Sequence, residues 1–402
     1  MPHILLLVVA LVTTLLTVAG IGYFSAALVA SRAFLRQRRI QLPAFAPGVS
    51  ILKSLKGLDP GMLEAFRTHC RQSYQGQYEL LFGVSSLSDP AAAAVTQLQA
   101  EFPALSIRLI ECPARLGSSG KVSTLCQLAP HARYDYLLIN DSDIAVSPRY
   151  LERVMACFAA PGCGKENTKE VGLVTTLYRG RGHATLPSQF EALGIAADFQ
   201  AGVLLSRMIE GGLRYGLGST LAVRRAALDK IGGFAPLKDH LADDYELGAR
   251  IFQAGYRVEL STEVVETAIP AYNWRGFIHH QLRWARTIRD ARPWGYTGLI
   301  FTHGLAWAII NVVVTSFAVP DSSPLASVSL GLFGLSLLLR LAVATSVGMQ
   351  VLGDNQVFAG LWLLPLRDLV QMAIWLAGFA GNTIVWRGER FTLHNGKLTK
   401  AG

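Results

Sequence analysis

The sequence predicts an α/β domain built on a mostly parallel sheet, with transmembrane helices on its amino-terminal and carboxyl-terminal sides. Three observations lead there. Between residues 49 and 160, short apolar runs alternate with helical segments and short connections, the pattern of a parallel sheet covered by helices on both faces. One of those runs, Tyr136-Leu137-Leu138-Ile139, is too short for a helix and leads into Asn140-Asp141-Ser142-Asp143. That places two carboxylates at a strand's carboxyl edge, where open α/β sheets take ligands. Finally, a chain of 402 residues that is 51% hydrophobic and only 16% charged is too apolar for an ordinary soluble domain, so membrane segments must account for the excess.

Taken in order, the chain begins with an uncharged run from Ile4 to Ala30, followed by Arg32, Arg36, Arg38 and Arg39. A bilayer core needs about 20 apolar residues, and only His3 precedes the run. Residues 1–31 therefore read as an uncleaved anchor rather than a signal peptide, with the amino terminus outside and the following residues cytoplasmic. Residues 32–48 are a basic, proline-containing linker.

The soluble domain is expected over 49–295. Strands are predicted at 49–52, 78–84, 106–110, 136–139 and 171–177. Helices are predicted at 59–70, 91–101 and 122–128, and after Pro148. This order puts Asp89 and Asp141 on one sheet edge. Gly211-Gly212 and the Gly216-x-Gly218 pair suggest backbone that approaches a ligand or another segment closely, or else plain turns. Asp243-Asp244 open a helix, where the amino-terminal dipole favours carboxylates.

A basic helix follows at 276–290, with Arg283, Arg286 and Arg289 at a spacing of three and Trp284 among apolar neighbours. It reads as lying in the lipid headgroup layer. Residues 296–386 carry apolar segments at 299–319 and 325–349 and a third, at 357–386, broken by Pro365, Arg367 and Asp368. Arg340 falls inside the second segment and must find a partner or reach water. The basic tail, 387–402, favours the cytoplasm by its charge, whereas an outside amino terminus and four spans would leave it outside.

Two aspartates at i and i+2 on an extended strand end can point to one side, which suits a hard divalent cation that also takes phosphate oxygens. The bland alternative is an Asx turn capping the helix after Pro148. The net charge of +9 lies largely beside apolar segments, without the Lys/Arg runs and interleaved aromatics of nucleic-acid binders, so it points to anionic lipid instead. Cys70, Cys112, Cys126, Cys157 and Cys163 are odd in number and contain no CxxC pair. A disulfide framework or zinc site is not expected, and a reducing compartment is.

Asp89 after a strand, Asp141-x-Asp143, Asp244 in an acidic pair and Arg283-Trp284 resemble the ordered pattern of processive-type family 2 glycosyltransferases. The chain is more closely similar to the ceramide glucosyltransferases, family 21, and to their bacterial relatives associated with hopanoid biosynthesis. The likeness runs through Leu55-Lys56-Gly57-Leu58-Asp59-Pro60, Ser88-Asp89-Pro90-Ala91, Gly172-Leu173-Val174, Ala242-Asp243-Asp244-Tyr245 and Leu282-Arg283-Trp284-Ala285-Arg286. His280 stands where the family has Gln or Arg, and Ser54 where a proline is expected.

The resemblance implies a GT-A type nucleotide-sugar-binding domain and inverting transfer of a hexose (glucose or N-acetylglucosamine) from a UDP-sugar to a membrane lipid hydroxyl, on a ceramide or a hopanoid polyol. It assigns Asp89 to the uridine, Lys121 to uracil or phosphate, Asp141 to ribose or loop support, and Asp143 to Mg²⁺ or Mn²⁺. Asp244 becomes the general base, with Asp243 left to cap the helix start, and His280, Arg283 and Trp284 border the acceptor or diphosphate. It also implies a multi-pass protein of the inner (plasma) membrane with its catalytic domain in the cytoplasm. Other readings are a processive polysaccharide synthase, a non-catalytic membrane scaffold and a haloacid-dehalogenase-type phosphatase. The last wants Thr or Val where this chain has Ala145.

Overall fold

A computed structural model describes residues 2–159, 169–386 and 389–400; Cys163 and the ends of the basic tail lie outside them. The chain separates into two compact units. Unit 1 is 1–36, 183–205 and 271–388, and unit 2 is 37–182, 206–270 and 389–402. The continuous domain expected over 49–295 is therefore interrupted, since 183–205 and everything from 271 onward group with unit 1.

Unit 2 holds an eight-stranded sheet. Its strands are β1 (Val49–Ser54), β2 (Tyr78–Val84), β3 (Ser106–Glu111), β4 (Tyr136–Ile139), β5 (Ile144–Ala145), β6 (Val171–Arg181), β7 (Leu221–Arg224) and β8 (Arg257–Ala268), in the order β3-β2-β1-β4-β7-β6-β8-β5. β1 pairs in parallel with both β2 and β4, β2 with β3, and β6 with β8. β7 runs antiparallel to β4 and β6, and β5 antiparallel to β8, so the sheet is mixed beyond β4. The central strands form because their apolar runs are buried on both faces: Ile51, Leu52, Leu80, Leu81, Phe82, Leu137 and Leu138 are all fully buried.

The helices of unit 2 that matter for the site are α2 (Met62–Cys70), α3 (Pro90–Glu101), α4 (Gly120–Leu128), α5 (Tyr150–Ala156), α8 (Arg225–Lys230) and α9 (Asp243–Gln253). Asp89 caps α3, with Pro90 in its first turn, and Ser119 caps α4. The tail contributes a hairpin of β10 (Glu389–His394) and β11 (Lys397–Lys400), closed by Asn395 and Gly396, both at positive φ.

Unit 1 is helical: α1 (Pro2–Gln37), α6 (Leu186–Gly194) running through a π-helical turn at Ile195–Phe199 into α7 (Gln200–Glu210), α10 (Trp274–Ala291), α11 (Pro293–Gly298), α12 (Gly304–Ala318), α13 (Pro324–Val343), α14 (Gln356–Gly360) and α15 (Leu364–Gly378), then strand β9 (Thr383–Trp386). Among the described residues four helices are long and apolar enough to cross a membrane: His3–Gln37, Leu186–Glu210, Pro324–Val351 and Gln356–Gly378. A fifth candidate pairs Pro293–Thr302 with Gly304–Ala318 across a 56° bend. The second of these was not legible as an apolar segment, since it carries Glu191, Asp198 and Arg207.

Unit 1 is assembled by small residues and polar contacts, as expected where lipid removes the hydrophobic drive between helices. α1 and α12 cross at Gly20 and Gly304, where a Cβ on Gly20 would lie 2.1 Å from the Gly304 Cα. Asn311 of α12 accepts from Thr13 and Thr14 and donates to Ser329 of α13. Arg340 finds the partner it needs in Asp368, through a bidentate pair at 2.7 and 2.8 Å, and also bonds the Ala197 carbonyl and Asp198 of the π-turn. Of the arginines placed by sequence in the headgroup layer, Arg286 donates to the Thr383 carbonyl, and Arg289 to the carbonyls of Gly378, the last residue of α15, and of Gly381.

Candidate functional site

β1, β2 and β4 end side by side, and the loops that follow carry Gly57, Asp89 and Asp141. Asp89 is built into this edge. Its carboxylate caps α3 through Ala91 N at 2.9 Å and receives Gly57 N at 2.9 and 3.1 Å, tying the loop after β2 to the loop after β1.

The Asp141-Ser142-Asp143 segment is a turn between β4 and β5, closed by Ile144 N to the Asp141 carbonyl, and not the extended strand end expected. Nor does it cap α5, whose first residue is Tyr150. The turn is held from beneath and from both sides. Lys53, fully buried at the end of β1, donates to the Asp141 carbonyl at 3.0 Å; Ser142 donates to Asp59; and Thr267 of β8 donates to Asp143. Burial pushes the Lys53 ammonium down to about 7 although Asp143 and Asp141 oppose it. Burial, with the Asp141 charge adding to it, pushes the Asp143 carboxyl up, against the Thr267 hydrogen bond.

Lys121, in the first turn of α4, joins this turn to the acidic pair of α9. Its ammonium lies 2.9 Å from Asp141 and 3.2 Å from Asp243. Burial opposes its charge, but Asp141, Asp243 and Asp244 outweigh it and hold the ammonium above its usual range. Asp243 therefore does not cap the helix as expected; Ala242 is the cap residue and no side chain bonds there. A mostly buried carboxylate with a lysine within reach gains more from pairing than from capping. Asp244 bonds its neighbour Tyr245 N at 2.8 Å through one oxygen.

The other oxygen of Asp244 faces Gly218: a Cβ there would come within 3.0 Å of it and 3.7 Å of Asp141. Gly216 and Gly218 thus serve close approach to another segment, while Gly211, at positive φ with nothing near it, is a turn glycine. A Cβ on Gly248 of α9 would lie 2.1 Å from Gly216 N, so α9 rests directly on the backbone of 215–218, and Tyr215 stacks on Tyr245 at 5.9 Å beside the contact. Burial first, and the Asp243 charge second, push the Asp244 carboxyl up to about 6, with Lys121 opposing.

Unit 2 thus brings together Lys121, Asp141, Asp143, Asp243 and Asp244. Lys53, Asp59 and the Lys121–Asp243 pair were missed. A lysine inside the apolar run 49–54 was the available signal for the first, while the other two join segments distant in sequence. Among the described residues no three His, Cys, Asp or Glu side chains are placed to hold a metal ion by themselves. Two neighbouring carboxylates, with Asp143 pushed up by burial and by the Asp141 charge, suit Mg²⁺ or Mn²⁺, which take one or two carboxylates and complete their shell with water and phosphate oxygens.

His280, Arg283 and Trp284 lie on α10 in unit 1. His280 stacks on Tyr272 at 5.4 Å, leans on Trp284, and has Nδ1 3.3 Å from the buried Glu191; Gln281 donates to the same carboxylate. Trp284 meets Phe199 edge-on at 5.5 Å. The four described-region cysteines are free.

Residues 12–399 match glycosyl transferase family 21. The chain is 24% identical over 250 residues to ceramide glucosyltransferase 3 of Caenorhabditis elegans, covering 60% of this chain and 50% of that one. It is 22% identical over 374 residues to ceramide glucosyltransferase 1 of the same organism, covering 86% and 72%. The chain thus spans half the length of the first of these relatives. Among solved structures it is similar to a mannosyltransferase from Pyrobaculum calidifontis in complex with GDP-Man and Mn²⁺, at TM-score 0.51 and 18% identity over 93% of this chain and 99% of that one. That likeness is one of fold.

Proposed function

Because the chain belongs to glycosyl transferase family 21, we propose that it is an inverting lipid glycosyltransferase that moves glucose or N-acetylglucosamine from a UDP-sugar to a membrane lipid hydroxyl, on a ceramide or a hopanoid polyol. The observation that carries this reading is the convergence of Lys121, Asp141 and the Asp243-Asp244 pair around Gly218.

Asp244 is the base. Its second oxygen lies beside Gly218, which has no side chain to cover it, and its raised affinity for protons suits it to take the acceptor hydroxyl's proton as the hydroxyl oxygen attacks the anomeric carbon. The UDP leaves from the opposite face, so an α-linked donor gives a β-glycoside. Asp143, with Asp141 beside it, would hold Mg²⁺ or Mn²⁺, whose chemistry is to neutralise the charge of the departing diphosphate. Lys121 adds a cation next to them and is released toward phosphate when the donor competes with its two carboxylates.

Asp89 contacts the uridine. A carboxylate offers about four acceptor positions, so its bonds to Gly57 and Ala91 leave room for a base N–H. The roles of His280, Arg283 and Trp284 toward acceptor or diphosphate rest on the likeness of their motif. The enzyme sits in the plasma membrane with unit 2 in the cytoplasm, as the arginines after the first apolar run favour.

The test is turnover and donor affinity of purified protein in nanodiscs. Asp244→Asn should lose roughly 10² to 10⁴ in rate while UDP-sugar binding survives. Asp143→Asn should abolish transfer, whereas full activity of that variant in excess EDTA would remove the metal assignment.

A further inference from the structure

We propose that the C-terminal hairpin is part of the transfer machinery, with Ser118 and Asp239 as the positioning residues through which it holds Lys121 at the acidic pair. The inference rests on the reading of Asp244 as base and extends it to a tail that no catalytic role above uses.

Lys121 and Asp243 lie far apart in sequence, and their 3.2 Å contact exists only while the chain before α4 and the chain before α9 keep their places. The two are fastened to each other and to β11. Leu398 N donates to the Asp239 carbonyl at 2.8 Å and Leu241 N to the Gly396 carbonyl at 3.2 Å, so residues 239–241 are joined to β11 by an antiparallel bridge at His240, three residues before Asp243. On the other side, Ser119 N donates to the Lys238 carbonyl at 2.8 Å, Ser118 N to Asp239 Oδ1 at 2.8 Å, and Ser118 Oγ to the Leu398 carbonyl at 2.8 Å. Ser119 then caps the helix whose second residue is Lys121.

The approach is tight. A Cβ on Gly117 would come within 2.6 Å of the Lys238 carbonyl, and one on Gly396 within 3.2 Å of the buried His240 ring. Phe391, Leu393 and Leu398 anchor the hairpin by being almost wholly buried. One side chain, Asp239, thus ties the lysine's loop, and one hydroxyl, Ser118, ties that loop to the tail.

Displacing a catalytic group by about 1 Å can cost a hundredfold in rate. Ser118→Ala and Asp239→Ala, each in the full-length protein, should therefore lower kcat roughly tenfold to a hundredfold while the KM for UDP-sugar stays within about threefold. Ser118→Thr and Asp239→Asn keep the hydroxyl and the accepting oxygen and should retain activity, as should Ala100→Ser at the exposed end of α3, outside the hairpin. Amide hydrogen exchange should quicken at both 118–123 and 240–246 in the alanine variants. Wild-type kcat in those variants, equal loss in the conservative pair, or unchanged exchange at either segment would overturn the proposal. A wild-type protein that transfers no sugar would instead overturn the transfer reading, and the exchange measurement would still decide whether the hairpin holds the two loops.

Discussion

At Asp244 the environment that makes a good base also sets a pH limit. Burial and the neighbouring Asp243 lift its carboxyl to about 6, while Lys121 and Asp141 face it from α4 and the β4–β5 turn. A base must be ionised to act, so kcat/KM should fall about tenfold per pH unit below about 6 and be flat above it, and Asp244→Asn should have no such limb. The same shift costs stability: a carboxyl held above its ordinary value makes the folded protein bind protons more tightly, so this group destabilises the fold above that value and the penalty disappears at lower pH. Asp244→Asn should therefore melt higher than the parent at pH 8 and not at pH 4. A pH profile without an acidic limb, or one that survives in the Asn variant, would move the base elsewhere. That Asp243 pairs with Lys121 was not readable in advance, because the partner lies on another helix and only the fold brings it near.

At the scale of elements, β1 to β4 and β6 were legible because most of them are written as short unbroken apolar runs, whereas β5, β7 and β8 and the order of strands in the sheet were not. What folding adds is contact between distant segments. The turn at Asp141 to Asp143 is set by Lys53 of β1, Asp59 of the loop after it and Thr267 of β8, all distant in sequence, so the tripeptide by itself suggested an extended end. The glycines 216 and 218 announced a close approach without naming the partner, which is α9. The seat of α9 is backbone on backbone, so Gly248→Ala has no flexible side chain to push aside. Overpacking of this kind typically costs about 1–3 kcal/mol, and here it also moves the helix that carries both acids. The variant should show a lower thermal midpoint in detergent together with reduced turnover. An unchanged midpoint and unchanged turnover would mean that the contact is not rigid.

At the scale of the whole molecule, unit 2 contains the residues on either side of both 183–205 and 271–388, so the chain leaves it and returns to it twice. If unit 2 occupies one side of a membrane, Leu186–Glu210 makes no net crossing despite its length and apolarity, and 271–388 crosses an even number of times. The charge pattern of the tail and the count of apolar segments disagreed about its side; β11 pairs with 239–241, so the tail lies on whichever side holds the rest of unit 2. Single cysteines introduced at Ala100 and at Thr399, both exposed, should therefore label together and only after permeabilisation. Labelling of one without the other would break the arrangement. The central claim, transfer of a hexose to a membrane lipid with inversion, is tested most directly by mass spectrometry and NMR of lipids from a host with and without this chain. A new β-linked hexosyl lipid, absent when Asp244→Asn replaces the parent, is the expected result. No new glycolipid, or an α-linked one, would contradict it.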